Sequence, residues 1–330
     1  MSRSEVLRLG FVPLTDSAPL VVAKERGFFE AEGLKVELSR EVSWATIRDK
    51  VAVGALDGAH MLAPLALAAT MGAGSEPTPM IAPMALNLNG AAVTLSTRLT
   101  SAPGENGEAM ALAKLIARRR KEGASLLTFA VVYPYSVHNY LLRDWLAAAG
   151  VDPDNDIRLT VAAPSRMAEL LADGIIEGFS AGEPWSSVAV ALGAGRVAVR
   201  ASQLWGRAPD KVLGVTQEWA DENGEVLTRL LRALITAAAW CDAPEHRGEL
   251  SGLLAGAPYV DAPRAAIAAS LDDVIFHRDG ANAPRTAQAA WLLGQMARWG
   301  QVAADAETSS VAGQVYRLDL YEAARAGQNA

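Results

Sequence analysis

The sequence predicts an α/β protein of two lobes, with a ligand cleft between them and two crossings of the backbone as hinges. Three observations carry that expectation. Strand-like and helix-like segments alternate through residues 6–71, the pattern of an α/β layer. A second series of the same kind occupies residues 126–200. An extended segment at 208–216 then returns, ahead of a remainder that is mostly helical. The turn-rich stretch LTSAPGENG, residues 99–107, is the sharpest shift in composition and is taken as the first crossing. The expected division is 1–98 for the first part of lobe I, 99–205 for lobe II, and 206–330 for the return to lobe I and the C-terminal helices.

In lobe I, VLRLGFVP (6–13) alternates as a strand. Residues 17–32 carry a helical apolar face through Leu20, Ala23 and Phe28, interrupted at Gly27 and stopped by Gly33. Residues 34–42 alternate again. Ser43 is placed to cap a short helix whose buried face carries Ile47, Val51 and Ala55. Asp57-Gly58 is a turn, 59–63 an apolar strand, and Pro64 stands where a first helical turn tolerates proline. Residues 80–87 and 91–96 are extended on either side of Asn87-Leu88-Asn89-Gly90.

In lobe II, a helix over 108–120 precedes a continuous apolar strand, LLTFAVV. The Tyr133-Pro134-Tyr135-Ser136 break is followed by a helix to Ala149. Strand 157–162, helix 164–172 and strand 177–181 follow, and Glu183-Pro184-Trp185 opens another helix. Helices are expected at 224–241, 247–254, 263–271 and 285–300, with a helical tail near 311–324.

Composition narrows the function classes. The chain has 330 residues, 51% of them hydrophobic, so two cores of ordinary size are within reach. A formal net charge of −7 argues against non-specific nucleic-acid binding as the main activity. The single cysteine, Cys241, allows no intrachain disulfide, and the four histidines have no zinc-site spacing. GxGxxG, Walker A and HExxH are all missing, so neither a cofactor nor a metal is expected and an enzyme is disfavoured. No run of about twenty apolar residues is present to span a membrane. MSRSEVLRLGFVPL runs almost directly into the first strand without an apolar leader, so the expected location is the cytoplasm.

Trp44 and Arg48 sit at and just inside one helix start, where free backbone N–H groups and the positive dipole end suit a small anion. Against that stands a plain packing tryptophan and an arginine paired with Asp49 or Glu41.

Five stretches in order carry a resemblance: SWATIRD (43–49), DGAH (57–60), HNYLLRDWLAAAGVDPDNDI (138–157), GEPW (182–185) and PDKVLGV (209–215). Together they resemble the nitrate- and bicarbonate-binding proteins of the NrtA/CmpA type, from about Arg8 to Ala255. The resemblance implies a type II periplasmic-binding-protein fold. Usual members carry a leader and a lipidation cysteine; without them the chain is similar to cytoplasmic nitrate/nitrite sensors of the NasS type. That implies a partner, an RNA-binding antiterminator of the NasT type, released when the anion binds. The rivals are the binding component of a nitrate/bicarbonate ABC transporter and, from another class, a two-lobed enzyme of the thiamin-pyrimidine-synthase type.

The resemblance also implies site roles. Trp44 matches a pocket tryptophan, His138 a pocket histidine, Gly182 a glycine whose backbone approaches the ligand, and Lys211 the lysine that pairs with the anion. Asn87 and Asn89 are the candidates for the family's pocket amide. Arg48, His60 and Glu183 are placed behind the ligand: Arg48 as a nearby charge, His60 as cleft floor, Glu183 as orienting Lys211 or backbone. A pocket of donors suits nitrate or nitrite, whereas bicarbonate also needs an acceptor for its O–H.

Overall fold

A computed structural model describes residues 6–99 and 107–327 of the chain. Its ten strands, in chain order, are β1 (Leu7–Phe11), β2 (Val36–Arg40), β3 (Gly58–Leu62), β4 (Met80–Leu88), β5 (Ala91–Ser96), β6 (Thr128–Val131), β7 (Arg158–Val161), β8 (Gly178–Gly182), β9 (Gly195–Arg200) and β10 (Pro209–Thr216). They form two five-stranded sheets, ordered β2-β1-β3-β10-β4 and β7-β6-β8-β5-β9. In each sheet three parallel strands meet one antiparallel strand that arrives from the other half of the chain. β10 returns to the first sheet and β5 already belongs to the second.

The first crossing is therefore at Asn89-Gly90, between β4 and β5, and not at 99–107. Most of that turn-rich stretch, residues 100–106, lies outside the described residues. Two extended segments around a turn look like a hairpin in sequence, but here each pairs elsewhere. Both crossing residues have positive φ, 63° at Asn89 and 83° at Gly90, which swings the chain from one sheet to the other. The second crossing, 201–208, runs through the short helix Ala201–Trp205.

Local chemistry accounts for the elements that aim the site. Ser43 adopts extended backbone and its Oγ accepts from the Thr46 N–H, starting the helix Trp44–Ala52. Ser136 does the same for Asn139, starting the helix Val137–Ala148. Gly27, at φ 70°, splits the predicted helix 17–32 into Ala18–Glu25 and Phe28–Ala31. The C-terminal helix Thr286–Arg298 packs on Ala63–Met71 of lobe I yet reaches lobe II. Gln295 Nε2 donates to Asp144 Oδ2 at 3.0 Å, and Gln301 Nε2 donates to the Pro134 carbonyl at 2.9 Å. No described helix is long and apolar enough to cross a membrane.

Candidate functional site

Lobe I supplies a charged floor. Lys211 is fully buried on β10, between β3 and β4. Burying an ammonium costs several kcal/mol unless counter-charges replace water. Two do so: its Nζ donates to Asp16 Oδ2 at 2.8 Å and to Asp210 Oδ2 at 2.6 Å. Burial works against the Lys211 charge, but Asp16 and Asp210 together hold its pKa above the ordinary lysine value. Asp16 stands in the tight turn Thr15–Ser17 after β1, and its other oxygen lies 2.8 Å from His60 Nε2 on β3. Burial favours its neutral acid, yet Lys211 and His60 hold it well below the usual carboxylate range. His60 is held below the ordinary imidazole value, mainly by burial, and is neutral.

Trp44 closes this floor. Its ring centroid is 5.4 Å from that of His60, and Lys211 Nζ lies 5.6 Å from it, within cation–π range. Its indole Nε1 is buried without a hydrogen-bond partner.

Lobe II supplies the roof. His138 is fully buried in the first turn of its helix, and neither ring nitrogen has a partner. Burial, and then the charge of Lys211, push it well below the ordinary value, so it is a neutral donor and acceptor. Gly182 ends β8 opposite it. A Cβ there would stand 3.3 Å from His138 Nε2, 3.3 Å from Leu14 Cδ2 and 3.4 Å from Asp16 Oδ2. The glycine thus lets the two lobes meet at the pocket. Trp44, His60, Lys211, His138 and Gly182 are brought to one place.

The other expectations are redirected. Asn87 and Asn89 spend their amides on the hinge. Asn87 Nδ2 donates to the Asn89 carbonyl at 2.9 Å and its Oδ1 accepts from the Lys211 N–H at 3.2 Å. Asn89 Oδ1 accepts from the Ala208 N–H at 2.9 Å, tying one crossing to the other. A buried crossing leaves backbone groups to satisfy, and these amides satisfy them. Glu183 does not orient Lys211. Its carboxylate accepts from the Ser187 N–H at 3.0 Å, from Ser187 Oγ at 3.1 Å and from Arg200 Nη1 at 2.9 Å, at the start of the helix Trp185–Ala191. Burial raises its pKa.

Arg48 faces the other lobe. It pairs with Asp49, and its Nη1 donates to Tyr133 Oη of lobe II at 2.7 Å. Two more bonds cross between the lobes: the Thr15 N–H to the Glu183 carbonyl at 2.8 Å, and Trp185 Nε1 to the Pro13 carbonyl at 3.0 Å. Replacing Tyr133 by Phe removes a charge-assisted bond that joins the two lobes. Ligand affinity should fall about three- to tenfold, roughly 1 kcal/mol, through faster release. Stopped-flow dissociation rates check it; an unchanged off-rate contradicts it.

Asp16 and Asp210 were not legible as site residues. Asp16 looks like a turn acid before a helix. Asp210 neighbours Lys211, and regular strand alternation would send the two side chains to opposite faces. Register shifts on either side of Lys211 break that alternation and bring both to one cluster. The available signal was electrostatic: a lysine committed to a closed cleft needs counter-charge nearby.

Chemically, the pocket can grip a small anion. It offers an indole N–H, a neutral imidazole, one ammonium and a narrow gap opposite a glycine. Among the described residues no group of three His, Cys, Asp or Glu is arranged to hold a metal. Cys241 is buried in the helix Gly224–Asp242, and burial raises its thiol well above the ordinary value.

This fold and site define a two-lobed protein of the type II periplasmic-binding-protein class. The family model of the NMT1-like family matches residues 2–255. The chain is 37% identical to the nitrate import ATP-binding protein NrtC of Synechocystis over 96% of its length, covering 49% of that protein. It is 34% identical to the bicarbonate transport ATP-binding protein CmpC of Synechococcus elongatus, covering 96% of this chain and 49% of that one. The chain spans about half the length of these curated relatives. The crystal structure of the periplasmic nitrate-binding protein NrtA from Synechocystis superposes with a TM-score of 0.92 at 30% identity, covering 98% of this chain and 88% of that one. The chain belongs to the NMT1-like family, and within it to the NrtA/CmpA type.

Proposed function

We propose that this chain binds nitrate or nitrite between its lobes, and that it is a binder and not an enzyme. One observation carries this: a buried, doubly countered Lys211 faces a pocket where Trp44 Nε1 and both His138 nitrogens are buried without partners. Unpaired buried donors are costly, and a planar oxyanion is the small ligand that satisfies several at once. The likeness to a nitrate-binding protein supports the same choice. Isothermal titration with nitrate, nitrite and bicarbonate tests it. The expected affinity for nitrate or nitrite is about micromolar, roughly −8 kcal/mol. No heat from any of the three overturns the proposal.

We propose further that the protein acts in the cytoplasm as a sensor, and that closure releases an RNA-binding antiterminator of the NasT type. Such a switch needs a partner that prefers one lobe arrangement and an anion that prefers the other. The bonds between the lobes at Arg48, Thr15 and Trp185 support this reading, since an opening of the lobes would break them. Capture of the antiterminator that is lost on adding nitrate is the expected result; capture indifferent to nitrate sinks it. A second reading, the binding unit of a nitrate or bicarbonate importer, is favoured by the likeness to import ATP-binding proteins of twice its length. Nitrate-dependent stimulation of a partner ATPase would decide for it. The enzyme alternative requires a reactive cleft thiol, and Cys241 is buried elsewhere.

A further inference from the structure

The pocket floor carries more negative charge than a monovalent anion tolerates. Lys211 contributes one positive charge, Asp16 and Asp210 one negative charge each, and the two histidines are neutral. An ionised cluster thus stands at −1 before any ligand arrives. Adding nitrate would place −2 in a volume from which water is excluded, where repulsion is far stronger than in solution. We propose that the site takes its anion together with one proton, and that Asp210 Oδ1 is the atom that receives it. This rests on the oxyanion reading of the pocket.

The geometry selects Asp210 among the candidates. Both oxygens of Asp16 are engaged, one by Lys211 and one by His60. Asp210 uses only Oδ2, on Lys211, and its Oδ1 is fully buried without a partner. A proton on His60 or His138 would place a second cation beside Lys211. None of the other groups around the cluster is placed to take the proton instead. Asn87 on β4 carries no charge, Glu183 is turned to Ser187 and Arg200, and Asp273 accepts from the Gly90 N–H and Ser202. Burial, reinforced by Asp16 and partly opposed by Lys211 and by the Asn87 amide, pushes the Asp210 carboxyl up to about 6. It is mostly ionised at neutral pH and needs little further push to hold a proton. The protonated acid is a donor, so uptake turns an acceptor hostile to nitrate into a group that suits it. The cluster, ligand included, keeps a net charge of −1.

The sign follows from linkage. The bound state holds more protons than the free state, so affinity rises as pH falls. It should change up to tenfold per pH unit above about pH 6, where free Asp210 is ionised, and level off below. The test is isothermal titration with nitrate at pH 7 in buffers of different ionisation enthalpy, repeated with Asp210→Asn. The expected result is uptake of close to one proton per anion in the native protein. In the variant uptake should fall to near zero, with affinity flat between pH 6 and 8. Nitrate binding without proton uptake overturns the proposal, as does undiminished uptake by Asp210→Asn. No binding of nitrate or nitrite at all is a different failure, that of the oxyanion reading itself. Should the variant not fold, infrared difference spectra of the native protein decide: nitrate should bring up a protonated-carboxyl band, and its absence refutes the assignment.

Discussion

Lys211→Met is expected to abolish anion binding, with a loss of at least about a hundredfold, and to lower stability by roughly 3–5 kcal/mol. The two effects have separate causes. Binding fails because the pocket loses its cation, and the remaining carboxylates repel any anion. Stability falls because Asp16 and Asp210 stay buried with their shared counter-charge removed. Adding Asp16→Asn to the variant separates them: part of the stability should return while binding does not. Thermal melts and titration with nitrate measure the pair. A Lys211→Met protein that binds nitrate normally would remove the lysine from the site.

Gly182→Val is the second large effect. A methyl in place of the glycine hydrogen already stands 3.3 to 3.4 Å from His138 Nε2, Leu14 Cδ2 and Asp16 Oδ2, near the limit of contact. Those side-chain atoms come from both lobes, so the strain is shared between small side-chain shifts and the spacing of the lobes. Gly182→Ala should weaken nitrate binding by about tenfold. Gly182→Val, with two more methyls in the same gap, should weaken it by up to about a hundredfold, since overpacking a close-fitted site costs about 1–3 kcal/mol. Small-angle scattering with saturating nitrate should show the valine variant more extended than the native protein. Equal affinities for native, alanine and valine forms would mean that Gly182 does not border the ligand.

Much of the architecture was legible because local rules carried it. Ser43 and Ser136 cap the helices that present Trp44 and His138, and both caps form. Gly27 breaks a helix where the pattern said it would. The strand-helix alternation predicted two α/β lobes, and the sheets have that form. The first crossing was misplaced because composition marks surface loops. A crossing made of Asn89-Gly90, buried between two strands, has no such mark.

The sequence by itself determined the elements and the two-lobed class, while Trp44, His138, Gly182 and Lys211 were singled out by the family resemblance of the stretches around them. Capping, periodicity and turn chemistry act within a few residues, so they can be read along the chain. Only the tertiary structure decided the electrostatics of the pocket. Asp16 and Lys211 are 195 positions apart and share a bond of 2.8 Å. Whether an aspartate is a turn acid or the counter-ion of a buried lysine depends on the dielectric around it and on which strand returns beside it. Asn87 and Asn89 show the converse: two amides that look fit for a ligand are consumed by the backbone of the hinge. Their hydrogen-bonding capacity was evident from residue type, but the groups that took it up were set by the crossing of distant strands.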